Sequence, residues 1–201
     1  MSNSHRYKTI IKKTSGLYKE KGSKFISYLF YANSERAFKD EMEIIHQEHP
    51  TARHFCYAYR FGADKKVYRA NDDGEPNNSA GAPILGQIQS YDLTNVGIVV
   101  VRYFGGTKLG VGGLISAYRE AAKEAIELND IIEKEDDVRF KLTCDYETMP
   151  HMMNATKKGN WNIVEQTFEN DAVIKIEVPL SKISQFQDTF APLNITIEEE
   201  K

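Results

Sequence analysis

Apolar and polar positions along the first 130 residues change period several times, and each change predicts an element. Residues 24–31 (KFISYLFY) are rich in aromatic and β-branched side chains and predict a strand. Asn33 or Ser34 can cap a helix whose apolar stripe is Phe38, Met42 and Ile45, and Pro50 requires that helix to stop by His49. A second strand is predicted over 55–61 (FCYAYRF), a turn over Asn71–Pro76, and a short helix over Ser79–Gln89 that carries Ile84, Leu85 and Ile88 inward. Val99, Val100 and Val101 predict a buried strand. From about Leu114, Ala117, Tyr118, Ala121, Ala122, Ala125 and Ile126 recur at helical spacing and form a flat face suited to a sheet.

Past the acidic run 133–137 the pattern changes. Strands are predicted over 138–146, 161–168, 172–178 and 195–197. One helix starts at Thr148 and ends at Gly159-Asn160; a second starts at Ser181, carries Ile183, Phe186 and Phe190, and ends at Pro192. The order βαββαβ over this segment predicts a ferredoxin-like split unit. The expected class is α+β, with a first domain over 1–135 and a second over 136–201.

Chemistry concentrates between the Val strand and the long helix, where Gly105, Gly106, Gly110, Gly112 and Gly113 allow close backbone approach. The spacing from Gly105 to Gly110 suits a Walker loop, yet Val111 stands where Lys-Ser/Thr belongs, and Ile115 replaces the last glycine of a dinucleotide fingerprint. What survives is general: the first N–H groups of a helix lack internal partners and attract anions, and Lys108 and Arg119 lie nearby. A structural glycine hinge is the competing reading.

Composition adds bounds. With 41% hydrophobic and 27% charged residues, the chain is ordinary for a globular protein. No run reaches membrane-span length and the basic N-terminus lacks an apolar segment, so a cytoplasmic location is expected. The net charge of −3 is uneven: residues 136–201 carry −5 and the preceding part +2. That allows a basic face on the first lobe. Cys56 and Cys144 are far apart, which argues against a disulfide framework or a thiolate zinc site.

Two further clusters carry alternatives. His49, His54 and Cys56 could supply a metal site or a Cys–His nucleophile, although ordinary cap and core roles account for them better. Asp72, Asp73 and Glu75 bring three carboxylates into one acidic loop, enough for a hard cation, while Asp73-Gly74 also marks a tight turn. The aromatics Tyr57, Tyr59, Phe61, Tyr68, Tyr103 and Phe104 could stack bases or form core.

Four separated strings together resemble the YigZ/IMPACT family. They are Lys21-Gly22-Ser23-Lys24-Phe25; His49 through Ala58; Asp72-Asp73-Gly74-Glu75-Pro76 with Ala80-Gly81-Ala82-Pro83; and Val101-Arg102-Tyr103-Phe104-Gly105-Gly106 running to Leu109–Leu114. The second part is similar to that of the bacterial, two-domain YigZ-like members. The resemblance implies a first domain like the second domain of ribosomal protein S5, a second domain like domain V of elongation factor G, and a link to translation. It carries no catalytic residues. Asn71, Asn77, Asn78 and Ser79 depart from the usual string of the family.

The sequence therefore predicts a non-enzymatic cytoplasmic binding protein. It would contact RNA or a ribosome-associated partner through Lys24, Arg53, His54, Arg102, Lys108 and Arg119, with Gly105, Gly106, Gly110, Gly112 and Gly113 taking phosphate oxygens. No cofactor, structural metal or membrane is expected. The alternative is a nucleotide-binding, kinase-like enzyme with magnesium on the acidic loop, and after it a Cys56–His54 hydrolase.

Overall fold

A computed structural model describes residues 6–200. The chain packs as two compact units, Met1–Lys134 and Glu135–Lys201. In chain order the first contains β1 (Arg6–Ile10), β2 (Thr14–Glu20), β3 (Ser23–Tyr31), α1 (Glu35–Glu48), β4 (His54–Phe61), β5 (Val67–Asn71), α2 (Gly81–Ser90), β6 (Val96–Tyr103) and α3 (Gly110–Glu127). The strand β7 (Ile131–Glu135) returns to pair with β1 in a separate ribbon.

Five strands form an antiparallel sheet in the order β2-β3-β6-β4-β5. Helices cover both faces. On one, Phe25, Leu29, Cys56, Ala58, Ile98 and Val100 meet Ile84 and Ile88 of α2 and Ala117, Tyr118 and Ala121 of α3. On the other, Phe30, Phe55, Tyr59, Val99 and Val101 meet Phe38 and Ile45 of α1. Central β6 is thus apolar on both sides, which is why its sequence runs Ile-Val-Val-Val without alternation. Ser34 caps α1 by accepting from the Ala37 amide at 3.3 Å, and the helix ends before Pro50 as its sequence requires.

Three differences from the sequence reading have physical causes. The strands β1, β2, β5 and β7 are short or polar, and β5 is an edge strand exposed through Val67–Ala70, so burial imposed no legible alternation on it. The long helix starts at Gly110, four residues before Leu114, because its first turn projects into solvent and makes no apolar demand. The short helix starts at Gly81; a Cβ there would stand 2.5 Å from the Asn71 backbone nitrogen, so only glycine lets α2 abut β5.

The second unit runs β8 (Asp137–Cys144), α4 (Met149–Lys158), β9 (Asn162–Phe168), β10 (Ala172–Pro179), α5 (Ile183–Phe190) and β11 (Thr196–Glu200). Its sheet order is β11-β8-β10-β9, with every neighbouring pair antiparallel. Leu142, Ile174 and Ile176 alternate inward against Met152, Phe186 and Phe190, and Trp161 closes the core. The molecule is therefore a mixed α/β protein of two domains.

Phe38 is the aromatic through which α1 holds the sheet, with its ring 5.0–5.5 Å from those of Phe30, Tyr57 and Tyr59. Phe38→Ala should destabilise the protein by about 3–5 kcal/mol, read as a fall in the guanidinium midpoint by circular dichroism.

Candidate nucleic-acid interface

The acidic loop faces inward. A turn closes at Asp72–Glu75, with the Glu75 amide donating to the Asp72 carbonyl at 2.9 Å and positive φ at Asp73 and Gly74. The Asp72 carboxylate accepts from Asn78, Ala80 and Gly81 amides at 2.8–2.9 Å, capping α2, whose own N-cap residue Ala80 has no side chain to do so. Asp73 Oδ2 accepts from the Phe55 amide at 2.6 Å. Glu75 points inside, where one oxygen accepts from Arg102 Nη1 at 2.6 Å and from the Tyr118 hydroxyl at 2.9 Å. The Arg102 and Glu75 side chains are 8% and 5% exposed.

These bonds correct two expectations. Arg102 does not offer its guanidinium to solvent, and the three carboxylates do not converge on a cation; among the described residues no His, Cys, Asp and Glu group has the geometry to hold a metal. The Cys–His alternative meets the same obstacle. Cys56 is sealed 2.9 Å from the Asp72 carbonyl and 3.2 Å from Tyr118 Oη, and burial, together with the nearby carboxylates, pushes its thiol far above the usual range. His54 Nδ1 lies 2.8 Å from the Asp73 carbonyl, to which it donates.

Sheet register gathers the other cations. Lys24 pairs with Tyr103, and His54 with Arg102, so the β2–β3 turn, the start of β4 and the exit of β6 share one end of the sheet. Lys24 and Arg53 are exposed there, with Lys21, which the sequence reading did not place in the site, on the same turn. Its signal was the Lys21-Gly22 pair, now seen as a tight turn with positive φ at both residues. Lys108 is exposed between that exit and α3. Arg119 is exposed but lies about 13 Å farther along the helix from Gly110. None of Lys21, Lys24, Arg53, Lys108 and Arg119 shares an ion pair with another described residue.

The glycine joint divides into two kinds of position. Gly105 is structural: a Cβ would fall 1.9 Å from the Gly22 carbonyl carbon, and its amide donates to Ser23 Oγ at 3.1 Å. Gly106, Gly110 and Gly112 face open space, with no atom within 4 Å of an added Cβ, while Gly113 packs on the Leu109 side chain. No side chain caps α3. Among the aromatics, Tyr59 and Phe61 are buried beneath α1 and Tyr57 packs on Phe38, so these three are core; Tyr68 and Phe104 are exposed.

The second unit offers a different surface. On the sheet face away from its core, Arg139 pairs with Glu177 at 2.7 Å and Lys141 with Glu198 at 3.6 Å, and Lys175 lies between Glu165 and Glu200 at 2.9 and 3.2 Å. On that face Arg139, Lys141 and Lys175 are therefore already engaged.

Comparison with known proteins agrees with this architecture. The IMPACT N-terminal domain family matches residues 21–126. The chain is 33% identical over 181 residues to an IMPACT family member of Haemophilus influenzae, covering 88% of each chain, and 31% identical over 173 residues to the IMPACT family member YigZ of Escherichia coli, covering 85% of each. The chain belongs to the IMPACT family. A crystal structure described as a hypothetical protein superposes with a TM-score of 0.75 at 26% identity, over 98% of both chains. The two-domain translational regulator Yih1 overlaps 61% of the chain and 47% of its own at a TM-score of 0.35 and 22% identity, too slight a likeness to argue from. No helix among the described residues is long and apolar enough to cross a membrane.

Arg102→Leu leaves the Glu75 carboxylate buried without its partner and should cost about 3–5 kcal/mol, whereas Arg102→Leu with Glu75→Leu should recover much of that loss in the same denaturation assay. Stability should also fall with alkali. Burial keeps Cys56 and Tyr118 neutral in the fold, while in the unfolded chain both ionise freely. The unfolded state therefore binds fewer protons as pH rises, so the melting temperature should drop from about pH 8.5 upward, and less steeply in Cys56→Ala.

Proposed function

We propose that this protein acts in translation by binding RNA through the basic end of the first unit's sheet. Lys24, Arg53 and Lys108 contact phosphates there, and the amides at Gly106, Gly110 and Gly112 take phosphate oxygens. In this reading the first unit is like the second domain of ribosomal protein S5. The second is a ferredoxin-like module similar to domain V of elongation factor G, as its βαββαβ order and strand order suggest. The cytoplasm is the compartment that this role requires.

The observation that carries the proposal is that Lys24, Arg53 and Lys108, none of them ion-paired, lie at the sheet end from which the chain runs into the uncapped start of α3. Gly112 sharpens it. It has neither positive φ nor any neighbour that an added Cβ would meet, so packing gives no reason for a residue that costs about 0.5–1 kcal/mol against alanine in a helix. Close backbone approach by a ligand would give one. The link to translation rests on the family.

Titrating labelled RNA at low and moderate salt tests this. Affinity should fall steeply with salt, by roughly 0.7 in the logarithmic slope per phosphate contact on a single strand. Lys24→Glu and Lys108→Glu should each weaken binding and reduce that slope; Arg119→Glu, farther away, should do less. Gly112→Ala should raise stability slightly and lower RNA affinity. Absence of binding at low salt, or indifference to both lysine reversals, would reject the proposal.

A further inference from the structure

A pocket of about 380 Å³ opens at this same end of the sheet, beside the C-terminus of α1. It is lined by Gly22, Lys24 and Ile26 from the β2–β3 turn and β3, His49 after α1, and Tyr103 and Phe104 at the exit of β6. Its size lies within the usual range for small-ligand sites.

Three observations give it chemical character. His49 is held between two phenols, with Nε2 2.7 Å from Tyr28 Oη and Nδ1 3.0 Å from Tyr103 Oη. With both ring nitrogens taken by phenol oxygens the His49 ring is fixed, and the Tyr103 hydroxyl keeps capacity for a further bond. Phe104 is 59% exposed, and its ring is held from behind. The Arg102 guanidinium lies 5.7 Å from its centroid and 5.5 Å from that of Phe25, and Glu75 holds the guanidinium in turn. A buried ion pair thus supports an exposed ring by a cation–π contact. Lys24 is unpaired and exposed at the same pocket.

We infer that this pocket takes one unpaired base of single-stranded RNA, stacked on Phe104 with its edge toward the Tyr103 hydroxyl, which His49 holds in place, and its phosphate toward Lys24. The inference rests on the RNA reading above and narrows it. A base supplies a π face, a hydrogen-bonding edge and an adjoining phosphate together, which matches the three features of the pocket. A paired base supplies only the phosphate, because its faces are stacked and its edge is engaged.

Fluorescence anisotropy with a labelled oligouridine and a labelled, blunt-ended RNA duplex tests it. Phe104→Ala should lower oligouridine affinity on the order of tenfold and leave duplex affinity and the salt slope unchanged. Phe104→Trp should restore affinity, and its emission should be quenched on binding, measured against the single native tryptophan, Trp161, which is buried in the second unit. If Phe104→Ala leaves both probes unaffected, or weakens both equally, the base pocket is rejected and the phosphate reading stands. If the unmodified protein binds neither probe at low salt, both readings fall.

Discussion

The ion pair between Arg102 and Glu75 is the constraint around which the first unit is arranged. Arg102 leaves the central strand at its last buried position, and Glu75 arrives from a turn on the far side of β4; their meeting fixes where the Asp72–Glu75 loop lies. Burying two charges is costly unless their remaining polar groups are satisfied. Tyr118 meets part of that demand by donating to the same carboxylate oxygen, and so ties α3 to the pair. Once the loop is anchored, Asp72 caps α2 and Asp73 holds the start of β4. One buried interaction therefore positions two helices and a strand start, and it leaves the outward face of the sheet end to other residues.

This arrangement separates side chains that look equivalent in the chain. Arg102, Lys24 and Lys108 are all cations near the glycine joint, yet one is spent inside and two face water. The glycines divide likewise: Gly105 gives room for the Gly22 backbone, whereas Gly106, Gly110 and Gly112 open outward. An acidic triplet that resembled a cation site is instead a cap, a strand anchor and a buried counter-ion. Each role is set by which side of the sheet the register places a residue on, a long-range property of strand pairing.

That explains how far the sequence was legible. Strongly periodic elements, such as α1 with Phe38, Met42 and Ile45 or β10 with Ala172, Ile174, Ile176 and Val178, announce themselves because one face is buried along their whole length. The edge strand β5 and the polar β7 do not, since neither has a consistently buried face to impress a pattern on its residues. At the site, the glycine spacing and the aromatic pair Tyr103-Phe104 drew attention locally. The contact of Cys56 with Tyr118, 62 residues away, and that of Tyr118 with Glu75, 43 residues away, left no local signal. Neither did the bond from His49 to Tyr103.

Net charge misleads about these two units unless pairing is counted. The second carries all of the negative excess, and its solvent-facing sheet has lysines and an arginine, but Arg139, Lys141 and Lys175 already have carboxylate partners across neighbouring strands. Such pairs contribute little to stability, yet a phosphate that approached would have to displace them. The first unit is only slightly positive overall, and at its sheet end the positive side chains have no such competitors. Attraction for a polyanion depends on charge that is not already neutralised within a few ångströms, and Lys21, Lys24, Arg53 and Lys108 keep theirs. The same logic places Phe104. With Arg102 held behind it by Glu75, the ring stands at the pocket that the unpaired Lys24 also lines, so the proposed stacking and phosphate contacts fall within one short stretch of backbone.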